Sequence, residues 1–100
     1  MEKKISFNEA KAQYWKPLTM YVPVVNRVHG QNHPEFHEVL RLFNLMNEKI
    51  KMTHSPVLNL EDEFASLRKV TNHYLVPDDV CETFAAVYQM LETLDLAYHA

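Results

Sequence analysis

Glycine is nearly missing from this chain: Gly30 is the only one in 100 residues. Tight hairpin turns lean on glycine, so an all-β fold with its many turns is disfavoured. Cysteine is equally scarce. Cys81 stands alone, which excludes a disulfide within these residues and suits a reducing compartment. No apolar run approaches the roughly 18–20 residues that span a bilayer. The opening MEKKISFNEA carries charge with no apolar stretch behind it, unlike a signal peptide. A cytoplasmic protein is therefore expected. Positive charge is in deficit as well, with a formal net charge of −3, whereas a general nucleic-acid binder needs a basic surface that displaces counterions. Neither nucleic acid nor a membrane is expected as a partner.

What remains is helical in pattern. An apolar share of 47% is enough to bury one core without staples, and no repeat or linker divides residues 1–100, so they read as a single domain. Ser6 and Glu9 have the spacing of a capping box at a helix start. Phe7, Ala10, Tyr14, Leu18, Tyr21/Val22, Val25 and Val28 then recur at helical spacing. Pro17 should break or kink this segment and Pro23 should bend it, since each removes a backbone donor. Gly30 closes it as a residue tolerant of the left-handed region. A second helix is expected from Pro34 to Lys51, with Phe36, Val39/Leu40, Phe43, Met46 and Ile50 on its apolar face. Asn59 caps a third, whose first turn holds Glu61, Asp62 and Glu63. Pro77-Asp78-Asp79 starts a fourth, with Asp79 and Glu82 spaced as a capping box and Phe84, Val87/Tyr88, Leu91, Leu94 and Tyr98 as its stripe. The expected fold is all-α: a small antiparallel bundle of three main helices plus a shorter N-terminal one.

Among the six histidines, His29, His33 and His37 follow one another at four-residue intervals, the spacing at which a continuous helix aligns two imidazoles on one metal ion. Gly30 and Pro34 interrupt that alignment, and a helix-start role for His33 and a solvated one for His37 are the plain alternatives. Glu38 falls on the polar face of its helix, and His54 and His73 lie in or beside loops without a visible partner. Cys81 could act as a nucleophile at a helix start, but Asp78, Asp79 and Glu82 around it oppose a thiolate, and a half-buried packing role is expected. Tyr14 and Trp15, beside Pro17, suit either the core or an interface. No phosphate-binding glycine loop or Ser/His/Asp signature is present.

Two stretches carry a family resemblance. Val28-His29-Gly30-Gln31-Asn32-His33-Pro34-Glu35-Phe36 is similar to the V-H-G-x-x-H-P-E-L segment of the iron-sulfur cluster repair di-iron family, and Pro17 matches a proline upstream of it. Leu67-Arg68-Lys69-Val70-Thr71-Asn72-His73-Tyr74, then Pro77 and Cys81-Glu82-Thr83-Phe84, with Tyr88 and Leu94, resembles that family's L-R-x-L-T-N-x-Y…P…A-C-x-T-[YW]…Y…L. The resemblance implies a hemerythrin-like fold, truncated here, and repair of iron-sulfur clusters damaged by nitric oxide or oxidants. By the same resemblance His29 matches an iron ligand. The other ligands have no counterpart in these residues: no histidine precedes His29, Val57 stands where another is expected, and His99 resembles a neighbour of the last ligand. One ligand cannot hold a di-iron centre.

The expectation is thus a small helical protein, without enzymatic activity of its own, related to the repair family and acting in nitrosative or oxidative stress or in iron-sulfur metabolism. No complete cofactor site is expected; iron would be held weakly or between chains by His29, His33 and His37. The alternative is a self-associating helical interaction module, with Tyr14, Trp15, Met20 and Met90 at the contact with another copy or another protein.

Overall fold

A computed structural model of the chain describes residues 5–52 and 59–100. His54, the Ser55-Pro56 loop and Val57 lie outside the described residues. Four α-helices follow one another: α1 Phe7–His29, α2 Glu35–Met52, α3 Glu61–Val70 and α4 Glu82–Tyr98. There is no strand among the described residues.

The N-terminal helix is the longest of the four at 23 residues, which corrects the expectation of a shorter first helix. Its capping box forms as expected: Glu9 N–H donates to Ser6 Oγ at 3.1 Å, and Ser6 N–H to Glu9 Oε1 at 3.4 Å. The helix runs through both Pro17 and Pro23. Each proline leaves the carbonyl four residues earlier without its donor. Those residues, Gln13 and Thr19, are exposed, so solvent can satisfy the carbonyls while packing of the opposite face holds the helix together. Trp15 sits in that packing. Its indole N–H donates to Asn47 Oδ1 at 3.0 Å and its ring lies 4.7 Å from Phe43.

The inward face of α1 is Ala10, Leu18, Val22 and Val25. One turn on, the inward place falls to His29, half-buried, and Val28 points out at 64% exposure. A strict three-residue step from Val25 would turn Val28 inward, but the 3.6-residue period favours the four-residue step.

Gly30 ends α1 with φ −59° and ψ −28°, a right-handed conformation, so the expected left-handed turn is absent. Its lack of a side chain matters for space: a Cβ there would meet the Asn26 carbonyl and come within 2.9 Å of His37 Cε1. α3 begins after Asn59, whose Oδ1 accepts from Glu61 N–H at 3.1 Å. Glu63 lies in the first turn as expected, but it is buried and takes Lys49 Nζ at 2.8 Å. α4 begins at Glu82 with Cys81 as N-cap, so Asp79 and Glu82 do not form a capping box.

α1 packs against α2 and α4, and α2 against α3. Phe36, Phe64, Phe84, Tyr88, Leu67 and Leu91 are fully buried between them, each worth about 1.5–3 kcal/mol of transfer free energy. Phe36, Phe84 and Tyr88 form an aromatic knot, with Phe84 5.0 Å from Phe36 and 4.8 Å from Tyr88. At one end Phe7 meets Tyr98. At the other, His29 and His33 meet Phe84.

Candidate functional site

The histidine junction lies where the end of α1, the turn into α2 and the start of α4 converge. Phe84 is its floor. The rings of His29 and His33 both stand edge-on to it, each 5.5 Å away. From this floor the two imidazoles reach different partners. His29 Nε2 lies 3.2 Å from Cys81 Sγ. His33 is spanned by carboxylates: Nδ1 is 3.0 Å from Glu35 Oε2, and Nε2 is 3.0 and 3.2 Å from the two oxygens of Asp79. Burial opposes the charged form of His33, yet the hydrogen bonds and charges of Glu35 and Asp79 outweigh it and raise its pKa above 6.5. Beneath the junction, burial pushes the Tyr88 phenol up to about 12, with the Glu35 charge adding to the effect. His37 is exposed on α2 and passes beside Gly30.

The three histidines of the regular spacing therefore do not converge. A di-iron centre needs several inward donors per metal, and here His29 turns to sulfur, both nitrogens of His33 are engaged by carboxylates, and His37 faces solvent. No group of three His, Cys, Asp or Glu side chains among the described residues is arranged to hold a metal ion. The described residues do not fit the di-iron group.

Cys81 is exposed, which corrects the expected half-buried packing role. Pattern reading placed it inside a helix that began at Pro77. In the structure α4 starts four residues past Asp78, and Cys81 becomes its N-cap. Its contact with His29 joins positions 52 residues apart, which local spacing cannot reveal.

A second polar cluster sits at the far end of α4, around a residue the pattern did not single out. Asp95 is buried. Its Oδ2 accepts from Tyr74 Oη at 2.7 Å and from Arg68 Nε at 3.1 Å, and its Oδ1 is 2.8 Å from His99 Nδ1. His99 Nε2 continues to Glu61 Oε2 at 2.7 Å. The Asp95 carbonyl first, then the Glu61 and Asp95 carboxylates, raise the His99 pKa against the opposing effect of burial. Burial, reinforced by Asp95, also pushes the Tyr74 phenol well up. A cleft of about 260 Å³ opens beside Arg68, Asp95, Leu96 and His99.

The chain enters this cluster through an unusual turn. Asn72, His73 and Tyr74 all have positive φ, at 53°, 59° and 63°. Thr71 braces them: its hydroxyl donates to the Leu67 carbonyl at 2.6 Å and accepts from Tyr74 N–H at 2.8 Å. The second stretch of the resemblance, Leu67 to Tyr74, thus builds a structural turn, with Arg68, Thr71 and Tyr74 each holding part of it. His73 is exposed, as expected.

Of the four residues proposed for an interface, Tyr14 and Met90 line one shallow cleft of about 290 Å³ between α1 and α4. Trp15 is occupied between α1 and α2. Met20 is 61% exposed and belongs to an outward strip on α1 with Tyr21, Val24 and Val28. No helix among the described residues is long and apolar enough to cross a membrane.

No protein-family model, curated protein or solved structure matches this chain.

Proposed function

We propose that this chain is a non-enzymatic helical interaction module that associates with a second copy of itself through the outer face of α1. The supporting observation is the strip Met20, Tyr21, Val24 and Val28, all exposed on successive turns of one helix. Large contiguous apolar faces on a soluble protein mark contact sites, and here Met20 and Val28 stand four residues to either side of Val24. When two copies of α1 cross antiparallel with Val24 on the two-fold axis, Met20 of one meets Val28 of the other. Val24 meets its own counterpart, and Tyr21 comes against Arg27, a cation–π pairing. An isologous contact needs this self-complementarity. α1 carries no carboxylate after Glu9, so nothing acidic interrupts the face. Sedimentation across a concentration series tests it. Wild type should move from monomer to dimer, while Val24→Asp, which puts two carboxylates on the axis, stays monomeric with an unchanged unfolding midpoint. A wild type that remains monomeric throughout sinks the reading.

A second reading is favoured by where the two resemblance stretches meet. Residues of the first, His29 and His33, touch residues of the second, Cys81 and Phe84, and Asp79 between its parts. That convergence supports a shortened, cytoplasmic relative of the iron-sulfur cluster repair family, antiparallel and hemerythrin-like, serving in nitrosative or oxidative stress or in iron-sulfur metabolism. Any iron is held weakly or between chains. Iron content after anaerobic reconstitution of tag-free protein tests the metal version, and a stoichiometry near zero removes it.

A further inference from the structure

The geometry points to Cys81 and His29 as a thiol-exchange site: Cys81, with His29 as its base, attacks low-molecular-weight disulfides and carries the resulting mixed disulfide. This inference is independent of the α1 surface.

Cys81 is the N-cap of α4, yet its side chain makes no capping bond, so the sulfur is not held by the helix and is exposed. The first amides of α4 have no intrahelical acceptor and lie beside this sulfur at the start of a 17-residue helix. The helix start alone would establish little. The second feature is His29, brought from the end of α1 to place Nε2 at 3.2 Å from Sγ. Its ring is held at 88° to Phe84, so the imidazole is supported by the core. Nucleophile and base within reach, with the base oriented by a third group, is the arrangement that activates thiols.

The carboxylates around Cys81 seemed to oppose such chemistry when only the sequence was in view. In the structure Asp79 turns to His33, with both oxygens within 3.2 Å of Nε2. Asp78 and Glu82 are exposed to solvent and make no hydrogen bond or ion pair to Cys81. The strongest local objection is thereby answered by a neighbouring imidazole.

The step balances without a further oxidant. Sγ attacks one sulfur of a disulfide RSSR, and a bond forms between Sγ and that sulfur. The RS–SR bond breaks and its electron pair leaves on RS⁻. The thiol proton passes to His29 Nε2, in the tautomer that leaves this nitrogen unprotonated, and on to the departing sulfur. The products are the mixed disulfide on Cys81 and RSH. With no second cysteine in these 100 residues, no internal thiol resolves the adduct, so it persists until an external thiol reverses it. The site is one of reversible modification.

The test is the rate at which glutathione disulfide adds to the full chain, followed by intact-protein mass. One glutathione per chain is expected, reversed by dithiothreitol and absent in Cys81→Ser. The folded protein should react roughly tenfold or more faster than the same chain in urea, and His29→Gln should lose most of that advantage. The first comparison needs no substitution, so it stands even where His29→Gln weakens the fold. A folded rate no greater than the denatured one overturns the proposal, as does a folded His29→Gln variant that reacts like wild type.

Discussion

At the far end of α4 an arginine, a tyrosine and a histidine meet around Asp95; at its start a cysteine and two histidines meet beside Phe84. Both clusters contain a histidine bridging two carboxylates, His99 between Asp95 and Glu61 and His33 between Glu35 and Asp79. They differ in what lies at the centre. Asp95 is a buried charge whose oxygens are taken by Tyr74, Arg68 and His99. Such a network has no spare valence and serves the fold. The start of α4 is built around a ring, Phe84, with His29 and His33 partly buried against it and Cys81 exposed beside His29. A charge buried among its partners makes a clasp, and an exposed thiol beside an imidazole makes a site.

The comparison breaks most directly at Asp95. Asp95→Ala leaves Tyr74 without its acceptor and Arg68 with only the Phe64 carbonyl and the distant Glu61 carboxylate, and should cost about 3 kcal/mol in urea unfolding. That is the lower end for a broken buried pair, because Arg68 and His99 are partly exposed and screened. A loss under about 1 kcal/mol would make the two ends equivalent. Tyr74→Phe removes a single bond to a charged acceptor at the same place and should cost roughly 2 kcal/mol, measured the same way. At the opposite end, Gly30→Ala gains a little from a less flexible unfolded chain, but its Cβ would crowd the Asn26 carbonyl and His37. Crowding outweighs the gain, for a net loss of about 1 kcal/mol.

The smallest effect is the pH dependence. His33 and His99 are raised above 6.5 in the folded chain, so the folded state holds their protons more tightly than the unfolded one. Their contribution to stability is full below pH 6.5 and fades as pH rises through the raised folded values. The unfolding midpoint in urea should therefore fall between pH 6 and pH 8, and His33→Gln should flatten part of that slope. A midpoint that rises across this range would contradict the assignment of both clips.

The helical pattern was legible in the sequence because it is written at short range. The stripes of α2 and α4 reappear as buried Phe36, Val39, Phe43, Met46, Phe84, Leu91 and Leu94. The Ser6–Glu9 capping box was legible for the same reason. α1 was misjudged because proline costs were weighed locally, whereas packing along its inner face carries the helix through Pro17 and Pro23. The polar sites were hidden because their partners lie far apart in the chain: His29 and Cys81, His33 and Asp79, Tyr74 and Asp95. Even spacing of His29, His33 and His37 drew attention to a metal alignment, while His29 is directed by Cys81, His33 by Glu35 and Asp79, and His37 is exposed. Asp95 lay within the apolar stripe of α4 beside Leu94 and Tyr98, and nothing local marks a carboxylate that will be buried.

The left-handed turn at Asn72, His73 and Tyr74 needs α4 for its completion. Left-handed backbone costs roughly 1–2 kcal/mol per non-glycine residue, so three in succession cost on the order of 4 kcal/mol before anything offsets them. The Thr71 bonds form within the turn itself and recover only part of this. The backbone bonds from His73 N–H to the Arg68 carbonyl and from Leu75 N–H to the Thr71 carbonyl recover more. The Tyr74–Asp95 bond adds to them only when α4 is in place, so the turn is complete only with Asp95 beside it. Amide exchange at Tyr74 should accordingly track the opening of α4, while the amides of α2 stay protected through the same event.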